Sequence, residues 1–102
     1  MYTARDRTDN AAWLTELESA AETLELSTRA QSTAEDLFLS VLPETDRSKR
    51  AALAASLYTG ALIAGEQRSQ TAVAEAVGVS RLSIQKRWKT LVEEAGLEPP
   101  DW

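Results

Sequence analysis

The chain has 102 residues, 43% of them apolar, and its 16 acidic and 11 basic side chains give a net charge of −5. This length suits one domain with its own core, and this apolar content is too high for a disordered chain. Cysteine and histidine are absent, which excludes disulfides, and we expect neither a zinc site nor a cofactor. The absence of cysteine fits a cytoplasmic setting. Because no apolar run approaches the roughly 20 residues that cross a bilayer, we expect no membrane partner.

Helical periodicity without strand-type alternation predicts an all-α fold of five helices. The first is expected at about residues 9–25 and the second at 28–41, with Pro43 just beyond it. The third begins after Asp46 or Ser48 and ends before Gly65. The fourth and fifth are expected at about 70–77 and 81–95. We expect a single domain over residues 9–97, a mobile N-terminus over 1–8 and a tail over 98–102.

Apolar side chains at helical spacing predict which faces are buried. In the first two helices the predicted core positions are Trp13, Leu17, Ala20 or Ala21, Leu24, Ala30, Ala34, Leu37, Phe38 and Val41. The third helix is apolar nearly all round and rich in small side chains, which is typical of a helix surrounded by others.

Residues 69–95 have the pattern of a helix-turn-helix. Counting Gln70 as the first position, Ala74 is fifth, where the two helices cross closely. Gly78 is ninth, where the turn needs a positive φ. Arg87 departs from the generic pattern, which usually has an aliphatic residue there.

The predicted last helix has two different faces. Ile84, Trp88, Leu91 and Ala95 share one narrow stripe, which we expect to face the core. The opposite stripe consists of Leu82, Gln85, Lys86 and Lys89. A basic outward face on the second helix of this motif is typical of a helix that enters the DNA major groove, although exposed helix faces are normally charged.

The outward side chains suit DNA chemistry. Arg81 could bond guanine bidentately, Gln85 could do so with adenine, and Leu82 could contact a thymine methyl group. Lys86 and Lys89 would neutralise phosphates. At the start of the fourth helix, backbone amides of Ser69, Gln70 and Thr71 could hold a further phosphate.

A second basic cluster lies at the start of the third helix. Arg47, Lys49 and Arg50 stand where cations oppose the helix macrodipole, so helix stability does not explain them. Contact with DNA phosphates would explain them, and ordinary solvated charge is the alternative. Arg68 is expected to extend the same surface. The sequence contains no nucleophile or phosphate-loop motif, so we do not expect an enzyme or a small-molecule substrate.

Three stretches resemble the C-terminal cyclin-like repeat of the transcription initiation factor IIB family in its archaeal form. They are "RAALAASLYTGALIAGEQRSQ", "TAVAEAVGVS" and "LSIQKRWKTLVEEAGL". Arg87, Trp88, Lys89 and Leu91 match the Arg, aromatic, Lys and Leu spacing of that family, so the resemblance also explains Arg87. An acidic, lysine-poor composition is in addition similar to that of proteins from salt-loving archaea.

The resemblance implies a five-helix cyclin-like bundle ending in a helix-turn-helix that reads double-stranded promoter DNA beside TATA-binding protein. The DNA-reading candidates that it implies are Ser80, Arg81, Leu82, Gln85, Lys86 and Lys89. A complete factor also has a zinc ribbon and two repeats. We therefore expect this chain not to perform the whole initiation role alone, and to need TATA-binding protein or a second subunit. The alternative is a cyclin-like protein-interaction adaptor that binds no DNA.

Overall fold

The computed structural model describes residues 10–98, which form helices joined by turns and loops, with no strand in that range. The helices are α1 (Ala11–Thr23), α2 (Thr28–Val41), α3 (Asp46–Ile63), α4 (Gln70–Val77), α5 (Arg81–Gln85) and α6 (Trp88–Glu94). The predicted all-α fold is therefore confirmed. The predictions for the N-terminus over 1–8 and for the tail beyond Glu98 lie outside the described residues.

Hydroxyl side chains cap the first turn of four of these helices, α2 to α5. The Oγ atoms of Ser27 and Ser69 accept hydrogen bonds from the backbone N–H groups of Ala30 (3.2 Å) and Ala72 (3.0 Å). Thr45 Oγ1 accepts from the Ser48 N–H at 3.2 Å and makes Thr45 the N-cap of α3. Asp46 is thus the first residue of α3, and the prediction that this helix begins after Asp46 or Ser48 was wrong by a residue or more.

The predicted last helix is interrupted at Lys86 and Arg87, which separate α5 from α6. The Arg87 N–H donates to the carbonyl of Ile84, three residues back, at 3.0 Å. Thr59 Oγ1 donates to the carbonyl of Trp88 at 3.5 Å, and the indole packs edge-on against Tyr58 with ring centroids 5.5 Å apart. Neither Gly nor Pro stands at the interruption, so we attribute it to the packing of Trp88 against α3.

Helix α3 is the centre of the molecule and contacts each of the other five helices. All residues from Ala51 to Ala61 are buried, as the all-round apolar pattern predicts. The predicted core positions Leu17, Ala30 and Phe38 are fully buried, while Trp13 and Val41 are half-buried at the edge of the core. None of the helices between residues 10 and 98 combines the length and apolar character needed to span a bilayer.

Helices α2 and α3 approach each other closely at Gly60. A Cβ atom there would lie 2.8 Å from the backbone nitrogen of Ala34 and 2.9 Å from the Ala34 Cβ, closer than real Cβ contacts. It would also lie 3.0 Å from the carbonyl oxygen of Ala30. Two of these atoms belong to the backbone, so a side chain at residue 60 requires the helices to move apart.

A polar contact joins the α1–α2 loop to the α3–α4 loop. The Glu66 carboxylate accepts hydrogen bonds from the backbone N–H (2.8 Å) and from the hydroxyl of Ser27. These bonds, together with the positive charges of Arg68 and Arg29, lower the pKa of Glu66 below its ordinary value. The ionised form of Glu66 therefore stabilises the folded state.

We expect the substitution Gly60→Ala to lower the free energy of unfolding by about 1–3 kcal/mol, because overpacking at the α2–α3 crossing outweighs the gain in helix propensity. Urea denaturation of both proteins would measure the change. Adding Ala34→Gly should restore part of the loss by removing one of the clashing atoms. A Gly60→Ala protein as stable as the parent chain would contradict this account of the crossing.

We expect Glu66→Gln to lower Tm at neutral pH and to lose this effect in acid. Because folding lowers the pKa of Glu66, its contribution is present above the unfolded pKa, near the ordinary value of 4.5, and is lost as pH falls through the folded pKa. Thermal melts of both proteins from pH 7 to pH 3 would test this. In a Ser27→Ala background the difference at pH 7 should shrink, and an unchanged difference across the pH range would refute the assignment.

Candidate nucleic-acid interface

Helices α4 and α5 are joined by a tight turn at residues 78–80. Gly78 has φ 87° and ψ 41°, the left-handed conformation that glycine adopts without steric cost. The N–H groups of Gly78 and Val79 both donate to the carbonyl of Ala74, at 2.8 and 3.0 Å, and close the end of α4. Ser80 then caps α5 by accepting a hydrogen bond from the Ser83 N–H at 3.3 Å. The turn thus sets the direction in which α5 leaves α4.

The two predicted faces of the last helical segment are largely present. Ile84, Trp88 and Leu91 are buried, but Ala95 is exposed because α6 has ended before it. The predicted outward residues Arg81, Leu82, Gln85, Lys86 and Lys89 are all exposed. Leu82 is 56% exposed and is thus available for contact with a partner.

Two open grooves flank α5. The first, here named the α3–α5 groove, is lined by Trp13, Asp46, Arg47, Ser48, Arg50, Ala51, Gly78, Val79, Ser80, Leu82, Ser83, Lys86 and Arg87. The second, the α4–α5 groove, is lined by Tyr58, Gln67, Ser69, Gln70, Thr71, Arg81, Gln85, Trp88 and Lys89. At 100° per residue, Leu82, Ser83 and Lys86 lie on one side of α5, and Arg81 and Gln85 on the other.

The α3–α5 groove is strongly basic. Arg47, Arg50, Lys86 and Arg87 line it, against the single carboxylate of Asp46. Two of these cations come from the start of α3 and two from the turn directly after α5, so the fold brings together residues from the two basic clusters of the sequence. Such a concentration of one charge sign attracts anions even though the whole chain is acidic.

The α4–α5 groove is polar and less charged. Arg81 Nη1 donates to Gln85 Oε1 at 3.2 Å, so the two predicted base-reading side chains form a pair one helical turn apart. Lys89 Nζ lies 5.6 Å from the centroid of the Trp88 ring, a cation–π arrangement. The Oε1 atom of Gln70 is buried in this groove without a hydrogen-bond partner.

Arg50 already has partners within the protein. Its Nη2 lies 3.2 Å from Glu16 Oε1, its Nη1 donates to the carbonyl of Val77 at 3.4 Å, and its guanidinium lies 5.2 Å from the centroid of the Trp13 ring. The side chain thus connects α1, α3 and the end of α4. It remains partly accessible, with 39% of the side chain exposed.

Arg68 makes more hydrogen bonds within the protein than Arg50 does. Its Nε donates to the carbonyl of Leu24 at 2.9 Å, its Nη1 to that of Glu66 at 2.7 Å and its Nη2 to that of Glu25 at 3.2 Å. Glu25 has φ 57°, so this guanidinium stabilises a loop with a strained residue. Arg68 lines neither groove.

Two further basic residues differ in their position relative to the grooves. Lys49 is half-buried and lines neither groove. Arg87 lines the α3–α5 groove, although the sequence did not predict it to contact DNA. Its Nη1 donates to the carbonyl of Ser83 at 3.4 Å. The signal for Arg87 was its departure from the generic helix-turn-helix pattern. Among residues 10–98, no His, Cys, Asp and Glu side chains cluster closely enough to hold a metal ion.

Comparison with known proteins decides the family. The family model for the Transcription factor TFIIB repeat matches residues 7–94. The chain belongs to the TFIIB repeat family. The TFIIB repeat is a cyclin-like helical fold, so the family and the cyclin-like architecture predicted from the sequence are both confirmed.

Relatives of this TFIIB repeat carry the name "Transcription initiation factor IIB". The protein of Archaeoglobus fulgidus is 44% identical over 45 residues, which are 44% of this chain and 14% of that protein. The protein of Pyrococcus horikoshii is 39% identical over 54 residues, 53% of this chain and 18% of that protein. "Transcription initiation factor IIB 1" of Thermoplasma volcanium is 48% identical over 44 residues, 43% and 14% of the two chains. The matched segment is thus less than a fifth of each relative.

We expect Arg68→Gln to lower the free energy of unfolding by about 1–3 kcal/mol, since it removes charge-assisted hydrogen bonds to three loop carbonyls. Arg47→Gln is the matched control, because it makes the same charge change at an exposed position and should leave stability nearly unchanged. Chemical denaturation of the two variants would measure both effects. Equal stability of the two variants would show that Arg68 is not structural.

Proposed function

We propose that this TFIIB repeat binds double-stranded promoter DNA, with α5 lying in the major groove. The observation that carries the proposal is the surface around α5. Between Ala76 and Val92 the chain has no acidic residue, and its exposed side chains there include Arg81, Lys86 and Lys89. Membership of a transcription initiation factor family supports the same conclusion.

The exposed side chains around α5 have different chemistry, and we assign them different roles in DNA binding. In the α4–α5 groove, the paired Arg81 and Gln85 have the donors and acceptors that read guanine and adenine edges. The exposed Leu82 supplies an apolar contact of the kind that a thymine methyl group accepts. Lys86 and Lys89 neutralise phosphates, which adds affinity for any sequence.

The size of the interface implies a partner. A single DNA-binding module of this kind buries about 600–1,000 Å² of protein surface, which is small for stable and selective binding. We therefore propose that the repeat binds beside TATA-binding protein or a second DNA-bound subunit. Contact with such a partner would raise the effective concentration of the repeat at its site.

The acidic surface supports a second candidate, a protein-interaction adaptor that binds no DNA. Glu18, Glu22 and Glu25 are exposed on or just after α1, and Asp36 is exposed on α2. A partner with a basic surface would complement these charges. The two candidates differ in a gel-shift experiment, because only the first produces a complex with promoter fragments, alone or with TATA-binding protein.

We expect Arg81→Ala to relax base preference, and Lys86→Ala and Lys89→Ala to weaken binding to all sequences alike. Random-site selection would give the preferred site of each protein, and fluorescence anisotropy over a salt series would give affinities. Each lysine variant should reduce the slope of log K against log salt by about 0.9 if the lysine contacts one phosphate.

The control is Lys49→Ala, which removes the same charge at a position outside both grooves. It should alter affinity less than either of the other lysine substitutions. Binding that survives the triple substitution of Arg81, Lys86 and Lys89 would refute this interface. The measurements should include molar salt, in case the acidic chain folds poorly in dilute buffer.

A further inference from the structure

The geometry of a duplex determines what lies on each side of α5. A helix with its side chains is about 10–12 Å across, and the major groove is about 12 Å wide. A helix seated in that groove therefore has one phosphate backbone along each of its sides. The α3–α5 groove occupies one of these sides and the α4–α5 groove the other.

The α3–α5 groove has the chemistry of a backbone-binding surface. It is open, has a volume of about 890 Å³, and combines four cationic side chains with the hydroxyls of Ser48, Ser80 and Ser83. Arginine and serine are typical donors to phosphate, and contacts of this kind carry no sequence information. Arg47 and Lys86 are exposed, whereas Arg50 is held by Glu16 from α1.

We propose that the α3–α5 groove receives one phosphate backbone of the duplex, and that Glu16 competes with this backbone for Arg50. The inference rests on the proposed DNA-binding function and extends it to an internal control of affinity. In the free protein the carboxylate neutralises one cation of the groove. In the complex the guanidinium exchanges this carboxylate for a phosphate.

The surroundings of Arg50 allow that exchange. Its side chain and that of Glu16 are 39% and 46% exposed, so water and salt already weaken their attraction. Only Nη2 contacts the carboxylate, while Nη1 donates to the carbonyl of Val77 and the guanidinium faces Trp13. The guanidinium is rigid and planar, so Nη2 keeps its place at the edge of the groove while these other two contacts hold. A phosphate oxygen can then replace the exposed Glu16 carboxylate as the acceptor for Nη2.

An acidic peptide is the other ligand that such a groove could attract. The duplex is favoured because α5 forms a wall of the groove and also carries the base-reading side chains, so a peptide seated there would compete with DNA. A peptide would in addition be indifferent to Arg81 and Gln85, which line the other groove.

The test compares Glu16→Gln with Glu18→Gln. Both remove one negative charge from exposed positions of α1, but residues 16 and 18 lie about 200° apart around the helix, and Glu16 is the one that contacts Arg50. Binding to a promoter duplex and to a random duplex would be measured by fluorescence anisotropy from 0.1 to 1 M salt. Thermal melts would check that all variants are folded.

We expect Glu16→Gln to bind both duplexes about five- to tenfold more tightly at 0.1 M salt, with a salt slope steeper by about 0.9, as for one added phosphate contact. Glu18→Gln should show a smaller gain and the parental slope. The gain in DNA affinity caused by Glu16→Gln should disappear when this substitution is combined with Arg50→Gln. If the Arg50 variant does not fold, the slopes of the two glutamate variants still decide the question.

If the two glutamate substitutions change affinity equally, or if Glu16→Gln binds DNA more weakly, Glu16 does not compete with the phosphate backbone for Arg50. The proposal that the repeat binds DNA would remain intact in either case. The same assay with an acidic peptide tests the other ligand. If Glu16→Gln binds this peptide more tightly than the parent chain does but binds neither duplex more tightly, the groove belongs to a protein partner. Failure of the parent chain and of every variant to bind any duplex would instead refute the proposed function, and this inference with it.

Discussion

The close crossing of α2 and α3 at Gly60 is the constraint on which the rest of the structure depends. Because Gly60 has no side chain, the backbone of α3 can approach the backbone of α2 at Ala34 directly, and the two helices pack tightly against each other. Because α3 is buried from Ala51 to Ala61, the other helices can only arrange themselves around it. The first turn of α3 lies at the surface, where its basic side chains Arg47 and Arg50 line the groove beside α5.

The loops then place α4 and α5 relative to this body. Glu66 joins the α3–α4 loop to Ser27, and Arg68 joins it to the carbonyls of Leu24 and Glu25. Since α4 begins at Gln70, directly after this network, the network holds the start of α4. At the other end of α4, Arg50 holds the carbonyl of Val77, one residue before the turn that directs α5. Charged residues thus orient the unit that we propose to contact DNA.

The distribution of charge reconciles an acidic chain with a proposed DNA-binding function. The acidic side chains of α1 and α2 and the basic ones around α5 lie on different helices, so the net charge of −5 conceals a local positive field. The ion pair of Arg50 and Glu16 lies where the two regions meet. A change of a single acidic residue there acts on the basic surface directly, whereas changes elsewhere on α1 act only through long-range fields that salt screens.

The sequence by itself determined the all-helical class, most helix ends and the inward faces, because caps, glycines and apolar spacing are local properties of the chain. It also determined which side chains of α5 are exposed. It could not show that the last helix is interrupted after Gln85, because neither Gly nor Pro marks the interruption, which we attribute to the packing of Trp88 against Tyr58 and Thr59. Nor could it distinguish Arg68 from Arg47, two arginines of similar local context. Two of the partners of Arg68, the carbonyls of Leu24 and Glu25, lie more than 40 residues earlier in the chain, and only the tertiary structure brings them within hydrogen-bonding distance.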